Sequence, residues 1–162
     1  MGIIKQQWNK ITGQKDAIQL LKEDHQEVDK LFKQFESAKD ETDKQKILRK
    51  VCEELIVHAR IEEDLFYPAV RQVLDAKDVM DEAEVEHQSL KQLIAELGAM
   101  QPKDDLYDAK VMVLSEYVKH HVKEEQDEMF PKVEKADIDL NALGEELYLL
   151  KQDLKKQLAS HA

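Results

Sequence analysis

The sequence predicts an all-α chain, an up-down-up-down four-helix bundle with an additional C-terminal helix. Three observations predict it. The 162 residues include only 4 Gly and 3 Pro, so the chain has few breaks. Charged residues make up 36% and hydrophobic residues 42%, with Lys, Glu, Leu and Ala abundant, which is a helical composition. Apolar residues recur at steps of three and four through successive segments, the spacing that lines one face of a helix.

Residues 1–15 carry little pattern and are expected to form an N-terminal arm in which Trp8 and Ile11 pack. Asp16 caps a first helix reaching about Ala38, with the seam Ile18, Leu21, His25, Val28, Phe32. A polar turn from Asp40 to Asp43 leads into a second helix with the seam Leu48, Val51, Leu55, His58, Glu62, Leu65. That helix is expected to run to Tyr67, because the residue before Pro68 is steered away from helical geometry. Residues 69–78 are expected as a short connection that has room for a helical turn. The third helix spans Val79 to Leu97 with Gly98 as its stop, and its seam is Met80, Ala83, His87, Leu90, Ile94. After the loop Gln101-Pro102-Lys103, a fourth helix starts at Asp104 or Asp105 and reaches Met129, with the seam Val111, Leu114, Val118, His121, Glu125. Asp137 or Asp139 caps a fifth helix over Leu140 to Leu158, whose stripe Leu143, Leu147, Leu150, Leu154 packs on the bundle. The expected organisation is an arm at 1–15, one bundle domain at 16–135 and a C-terminal helix at 136–162.

The net charge of -11 argues against nucleic acid and anionic membrane as partners. The single cysteine, Cys52, removes an internal disulfide and any thiolate-rich metal knuckle. No apolar run approaches the ~20 residues of a membrane span, and the start lacks a signal-peptide core. The expectation is a soluble, cytoplasmic protein, a monomer or weak homodimer.

Two of the seams carry a carboxylate where an apolar residue belongs. His58-x-x-x-Glu62 and His121-x-x-x-Glu125 each put an imidazole and an acid one turn apart on the inner face. Singly, such a pair reads as a helical ion pair worth about 0.2–0.5 kcal/mol. The pairs repeat, however. His58 and His121 stand 63 residues apart, as do Pro68 and Pro131; His25 and His87 stand 62 apart, each within an acid-His-Gln motif. Tandem helix pairs therefore each offer a His followed by His-x-x-x-Glu, and an antiparallel bundle brings the four seams together at similar depth. His120 and Glu124 share the same spacing, but only His121 and Glu125 keep the ten-residue His-to-Pro interval of the first copy. The candidate metal ligands are thus His25, His58, Glu62, His87, His121 and Glu125. Imidazole with carboxylate suits iron, manganese or zinc, and six ligands exceed the need of one tetrahedral ion. Bridging carboxylates between terminal imidazoles suit a metal pair.

This pattern, with a proline after each Glu, resembles the hemerythrin-like (HHE cation-binding) domains over about residues 16–135. The resemblance implies a four-helix bundle around two non-haem iron ions, with a small diatomic or peroxide ligand as partner. It further implies oxygen, nitric oxide or iron bound for sensing, storage or carriage, or a di-iron enzyme of peroxide or nitric oxide detoxification or iron–sulfur cluster repair. The oxygen-carrying hemerythrins have a further His where this chain has Ala83, so the half built by the third and fourth helices is expected to be open to an external ligand, with water or Glu84 filling the gap. Tyr117, one turn before His121, is expected to pack with its hydroxyl reaching solvent, with a hydrogen bond to a metal-bound ligand or a redox role as the alternative; Glu54 and Glu86 are expected as exposed charges, or else as hydrogen-bond partners of the nearby imidazoles.

Overall fold

The computed structural model describes residues 15–160, and the arm expected over 1–15 lies outside them except for Lys15. Among the described residues the regular structure is helical throughout. Helix α1 spans Ala17–Ser37, with Asp16 accepting from the Gln19 N–H and Gln19 returning the bond to the Asp16 N–H. Helix α2 spans Glu41–Ile61 behind the Asp40 cap, passes through a π turn at Glu62–Phe66 and continues as α3 at Tyr67–Val73. Helix α4 spans Lys77–Gly98. Helix α5 spans Tyr107–Glu124, passes through a second π turn at Glu125–Met129 and continues as α6 at Phe130–Lys135. Helix α7 spans Leu140–Ser160.

The expected stops at Tyr67 and Met129 are corrected. Both rods run on past Pro68 and Pro131, and only Leu74 to Ala76 separate α3 from α4. The reason is the π turn. Tyr67 N–H bonds back five residues to the Glu62 carbonyl, and Phe130 N–H does the same to Glu125. Each proline then falls in the first turn of a restarted helix, where a missing N–H costs little. The fourth helix starts at Tyr107, two or three residues later than expected, because Leu106 takes a left-handed conformation with φ 71.

The bundle holds two apolar clusters. One joins Ile18, Leu21, Ile61, Phe66, Met80 and Phe130 with Leu143 and Leu147 of α7. The other joins Val28, Phe32, Val51, Leu55, Ile94 and Leu114. On each of the four rods, buried polar residues other than Asp16 and Ser115 fall between these clusters: Asp24 and His25, His58 and Glu62, His87, His121 and Glu125. Helix α7 packs along α1 and α2. Its approach depends on Gly144, where a Cβ would lie 2.4 Å from the Lys15 carbonyl oxygen and 2.7–2.8 Å from the backbone of Asp16 and Ala17. Cys52 packs against the second cluster, and burial, aided by the charge of Glu53, pushes its thiol up to about 11.

Candidate metal centre

The four seams deliver all six expected residues to one buried layer. His25, His58, Glu62 and Glu125 bring one ligand atom each within 4.8 Å of one another, and so do Glu62, His87 and His121. Glu62 belongs to both groups. Its Oε1 lies 3.1 Å from His58 Nε2 and 3.3 Å from His87 Nε2. Glu125 also spans the layer, with Oε1 3.2 Å from His25 Nε2 and Oε2 3.3 Å from His121 Nε2. The ring pairs mirror each other: His25 and His58 centroids lie 4.9 Å apart at 64°, and His87 and His121 lie 4.8 Å apart at 61°.

The outer nitrogen of every imidazole is tied down. His58 Nδ1 meets Asp24 Oδ2 at 2.8 Å, His87 Nδ1 meets Glu63 Oε2 at 3.1 Å, His121 Nδ1 meets Glu86 Oε1 at 2.9 Å, and His25 Nδ1 meets Gln126 Oε1 at 2.7 Å. Ionised carboxylate and amide oxygens only accept, so each Nδ1–H donates and each Nε2 faces inward. This is the arrangement that orients imidazole toward a metal and raises its basicity. All four partners sit next to a cluster residue in sequence, and the internal repeat covers them too, Asp24 matching Glu86 and Glu63 matching Gln126.

The inward atoms fit metal ions. Six buried side-chain polar atoms among the described residues lack a hydrogen-bond partner; His25 Nε2, His58 Nε2, both Glu62 oxygens and Glu125 Oε1 are five of them, and Asn141 Oδ1 is the sixth. Leaving such groups unpaired in a dry interior costs on the order of 1–3 kcal/mol each, and more for a charge. Their separations of 3.1–3.3 Å match the ligand–ligand edges around an ion bound at roughly 2.1 Å. The field at the cluster favours a cation, proton or metal. Burial works against an imidazolium at His58, but Glu62 and Asp24 outweigh it and raise His58 to about 10. His87 and His121 are raised in the same way against burial, and Glu62 is drawn well below the usual carboxylate range because His58, His121 and His87 outweigh its own burial.

Two expectations change. The half lined by His87 and His121 is not simply open: the Tyr67 hydroxyl donates to Glu125 Oε2 at 2.7 Å and lies 3.4 Å from both His87 Nε2 and His121 Nε2. Glu84 does not fill that gap; it faces outward beside Arg71. Burial first, then the charges of Glu125 and Glu62, push the Tyr67 hydroxyl well above its ordinary range, so the phenol keeps its proton. Tyr67 follows Glu62 by five residues, which in a regular helix at about 100° per residue would turn it roughly 140° away; the π turn brings it back to the site. The matching residue, Phe130, stacks on His25 at 6.0 Å and 3°. The available signal was the aromatic five residues after each Glu, in both copies of the repeat.

The remaining candidates fall outside the layer. His120 is exposed and pairs with Glu124 at 3.1 Å and Glu86 at 3.4 Å. Tyr117 is exposed. Glu54 pairs with Lys155 of α7 at 3.1 Å, while Glu86 holds His121 across the helix interface and not its neighbour His87. A cavity of about 30 Å³ abuts the cluster, touched by all four imidazoles and walled by apolar side chains including Val28, Leu55, Leu90 and Val118.

Comparison with known proteins bears on the fold and the family. The solved structure of a hemerythrin HHE cation binding domain-containing protein from Mycobacterium kansasii superposes with a TM-score of 0.77 over 88% of each chain at 23% identity, a likeness of fold. A DNA nickase of Nostoc sp. (strain PCC 7120) is 25% identical over 114 residues, which are 70% of this chain; the chain spans only 32% of that protein's length. The family model for the hemerythrin HHE cation binding domain matches residues 16–133, the stretch that holds all six buried His and Glu residues, and the chain belongs to that family.

Proposed function

We propose that the cluster holds two metal ions, iron foremost with manganese or zinc as substitutes. In this reading the pair binds a small diatomic or peroxide ligand, or the iron itself is the cargo, for sensing, storage or carriage in the cytoplasm. His25, His58, Glu62 and Glu125 hold one ion, and Glu62, His87 and His121 hold the other. Iron there supplies open coordination positions and one-electron chemistry. The observation that carries the reading is the cavity: about 30 Å³, apolar-walled and touching all four imidazoles, it has room for a molecule of a few atoms. The nickase relative brings no DNA chemistry to this reading, since the net charge of -11 repels a phosphate backbone.

A second reading, enzymatic turnover of peroxide or nitric oxide, is favoured by one observation. The Tyr67 hydroxyl donates to Glu125 Oε2 at 2.7 Å and lies 3.4 Å from the Nε2 atoms of His87 and His121, the residues that would hold the second ion. Reduction of a bound ligand consumes protons, and in this reading the hydroxyl is the group placed to hydrogen-bond the ligand while they are delivered. One experiment separates the readings. Protein reconstituted with iron without oxygen is analysed for metal, then mixed with oxygen, peroxide and nitric oxide while optical spectra are recorded. Bands that form and reverse on deoxygenation support binding, and sustained peroxide or nitric oxide consumption supports the enzyme. Sub-stoichiometric iron in the reconstituted protein would sink both.

A further inference from the structure

Three of the four imidazoles are held by a carboxylate that divides its oxygens. One oxygen takes the histidine N–H, and the other faces an outer basic side chain. His58–Asp24 continues to Lys151, His87–Glu63 to Lys91 at 2.6 Å, and His121–Glu86 to His120 at 3.4 Å. These outer side chains differ in their surroundings. The Lys91 side chain is 47% exposed and that of His120 is 65% exposed, whereas Lys151 is 18% exposed. Lys151 donates to Asp24 Oδ1 at 2.5 Å while Oδ2 takes His58 Nδ1–H, so Asp24 has both oxygens committed. Solvent screens exposed charges strongly and buried ones weakly, so Lys151 acts on its histidine more than the exposed Lys91 and His120 act on theirs. Lys151 also comes from α7, beyond residues 16–133 that the family model matches.

We propose that Lys151 is a positioning residue of the metal centre: through Asp24 it fixes the orientation and donor strength of His58, which makes the C-terminal helix part of the site and not only a cover for the bundle. The role in metal chemistry rests on the metal-binding reading above; the coupling of Lys151 to His58 does not. Helix α7 supplies its own control. Lys155, one turn further along, pairs with Glu54 of α2 at 3.1 Å, and none of the imidazole contacts runs through Glu54.

The test compares Lys151→Met, Lys151→Arg and Lys155→Met with the unaltered chain, in two measurements. In iron-free protein with labelled histidine, the His58 Nδ1–H resonance is followed. Lys151→Met moves it to lower field, because Asp24 without its cation accepts the N–H more strongly. Lys151→Arg returns it toward the original position, and Lys155→Met leaves it in place. In iron-reconstituted protein, Lys151→Met lowers the reduction potential by about 59 mV, a tenfold change in the oxidised-to-reduced ratio, and Lys155→Met does not. A His58 resonance indifferent to Lys151→Met, or moved equally by Lys155→Met, overturns the proposal. If Lys151→Met does not fold, Lys151→Gln keeps a donor without the charge and is judged by the same resonance. Absence of bound iron in the unaltered protein refutes the metal reading, while the His58 resonance still decides whether Lys151 acts on the imidazole.

Discussion

The two halves of the buried layer come from one repeat and are not chemically alike. The half formed by His25 and His58 gathers four candidate ligand atoms, with Phe130 stacked against it. The half formed by His87 and His121 gathers three, with the Tyr67 hydroxyl in the place of a fourth. Their outer support differs as well. The first half rests on one carboxylate, Asp24, and one neutral amide, Gln126, and α7 backs it through Lys151. The second rests on two carboxylates, Glu63 and Glu86, whose outer partners face solvent. A repeat alone would give two equal sites. A phenol for a phenyl ring and an amide for a carboxylate are enough to leave four candidate ligand atoms in one half and, in the other, three beside a hydroxyl.

The shared carboxylates give the largest test of that contrast. Glu62 enters both groups with neither oxygen hydrogen-bonded, whereas Glu125 enters only the first group and is anchored by Tyr67. Glu62→Ala is therefore expected to cost more than about 100-fold in affinity at both positions, beyond the effect of losing an outer partner. Glu125→Ala is expected to keep an ion on His87, His121 and Glu62. Metal analysis after anaerobic reconstitution checks this, and equal retention by the two variants would mean that the halves are not distinguished by their carboxylates.

Next in size is Tyr67→Phe, which makes the second half resemble the first. It removes a hydrogen bond to a buried carboxylate, and bonds of that kind contribute roughly 1.5–3 kcal/mol. The iron-free variant should lose about that much in urea unfolding. If the enzymatic reading holds, its peroxide or nitric oxide consumption should fall while its iron content stays. Unchanged stability would show that Glu125 does not depend on the phenol.

Most of this layer was legible in the sequence, and what was not has physical reasons. The seams and the 62- and 63-residue repeat mark the six His and Glu residues because burial and periodicity are local signals. Tyr67 escaped because its contact depends on a π turn, and a change of hydrogen-bond register leaves no mark on apolar periodicity. Pro68 and Pro131 misled for the same reason: a proline reads as a stop unless the ladder has already been re-registered before it. The partners of the imidazoles were half visible. The acid before His25 and the acid before His87 belong to the repeated motif, but each bonds the histidine of the following rod and not its own neighbour, a pairing that only the crossing of helices decides.

Helix α7 backs the first half through Lys151, and Gly144 is where that support can be broken without touching a polar residue. A methyl there meets backbone at 2.4–2.8 Å, which no side-chain rotation relieves. Gly144→Ala should cost about 1–3 kcal/mol in urea unfolding by overpacking. An unchanged midpoint would mean that α7 does not hold the close approach to α1 on which the Lys151 contact depends.

The smallest expected effect is the sharpest check on the second half. Glu84 lies one turn before His87 and invites the reading that it swings inward to replace an absent imidazole. Its side chain faces solvent 4.0 Å from Arg71, and the place it would take holds the Tyr67 hydroxyl. An exposed pair at that distance contributes about 0–1 kcal/mol, so Glu84→Gln should leave iron content, spectra and unfolding midpoint unchanged within that limit. A loss of the second iron in Glu84→Gln, with Tyr67→Phe retaining it, would reverse the assignment: the carboxylate would then complete the second half, and the phenol would be packing.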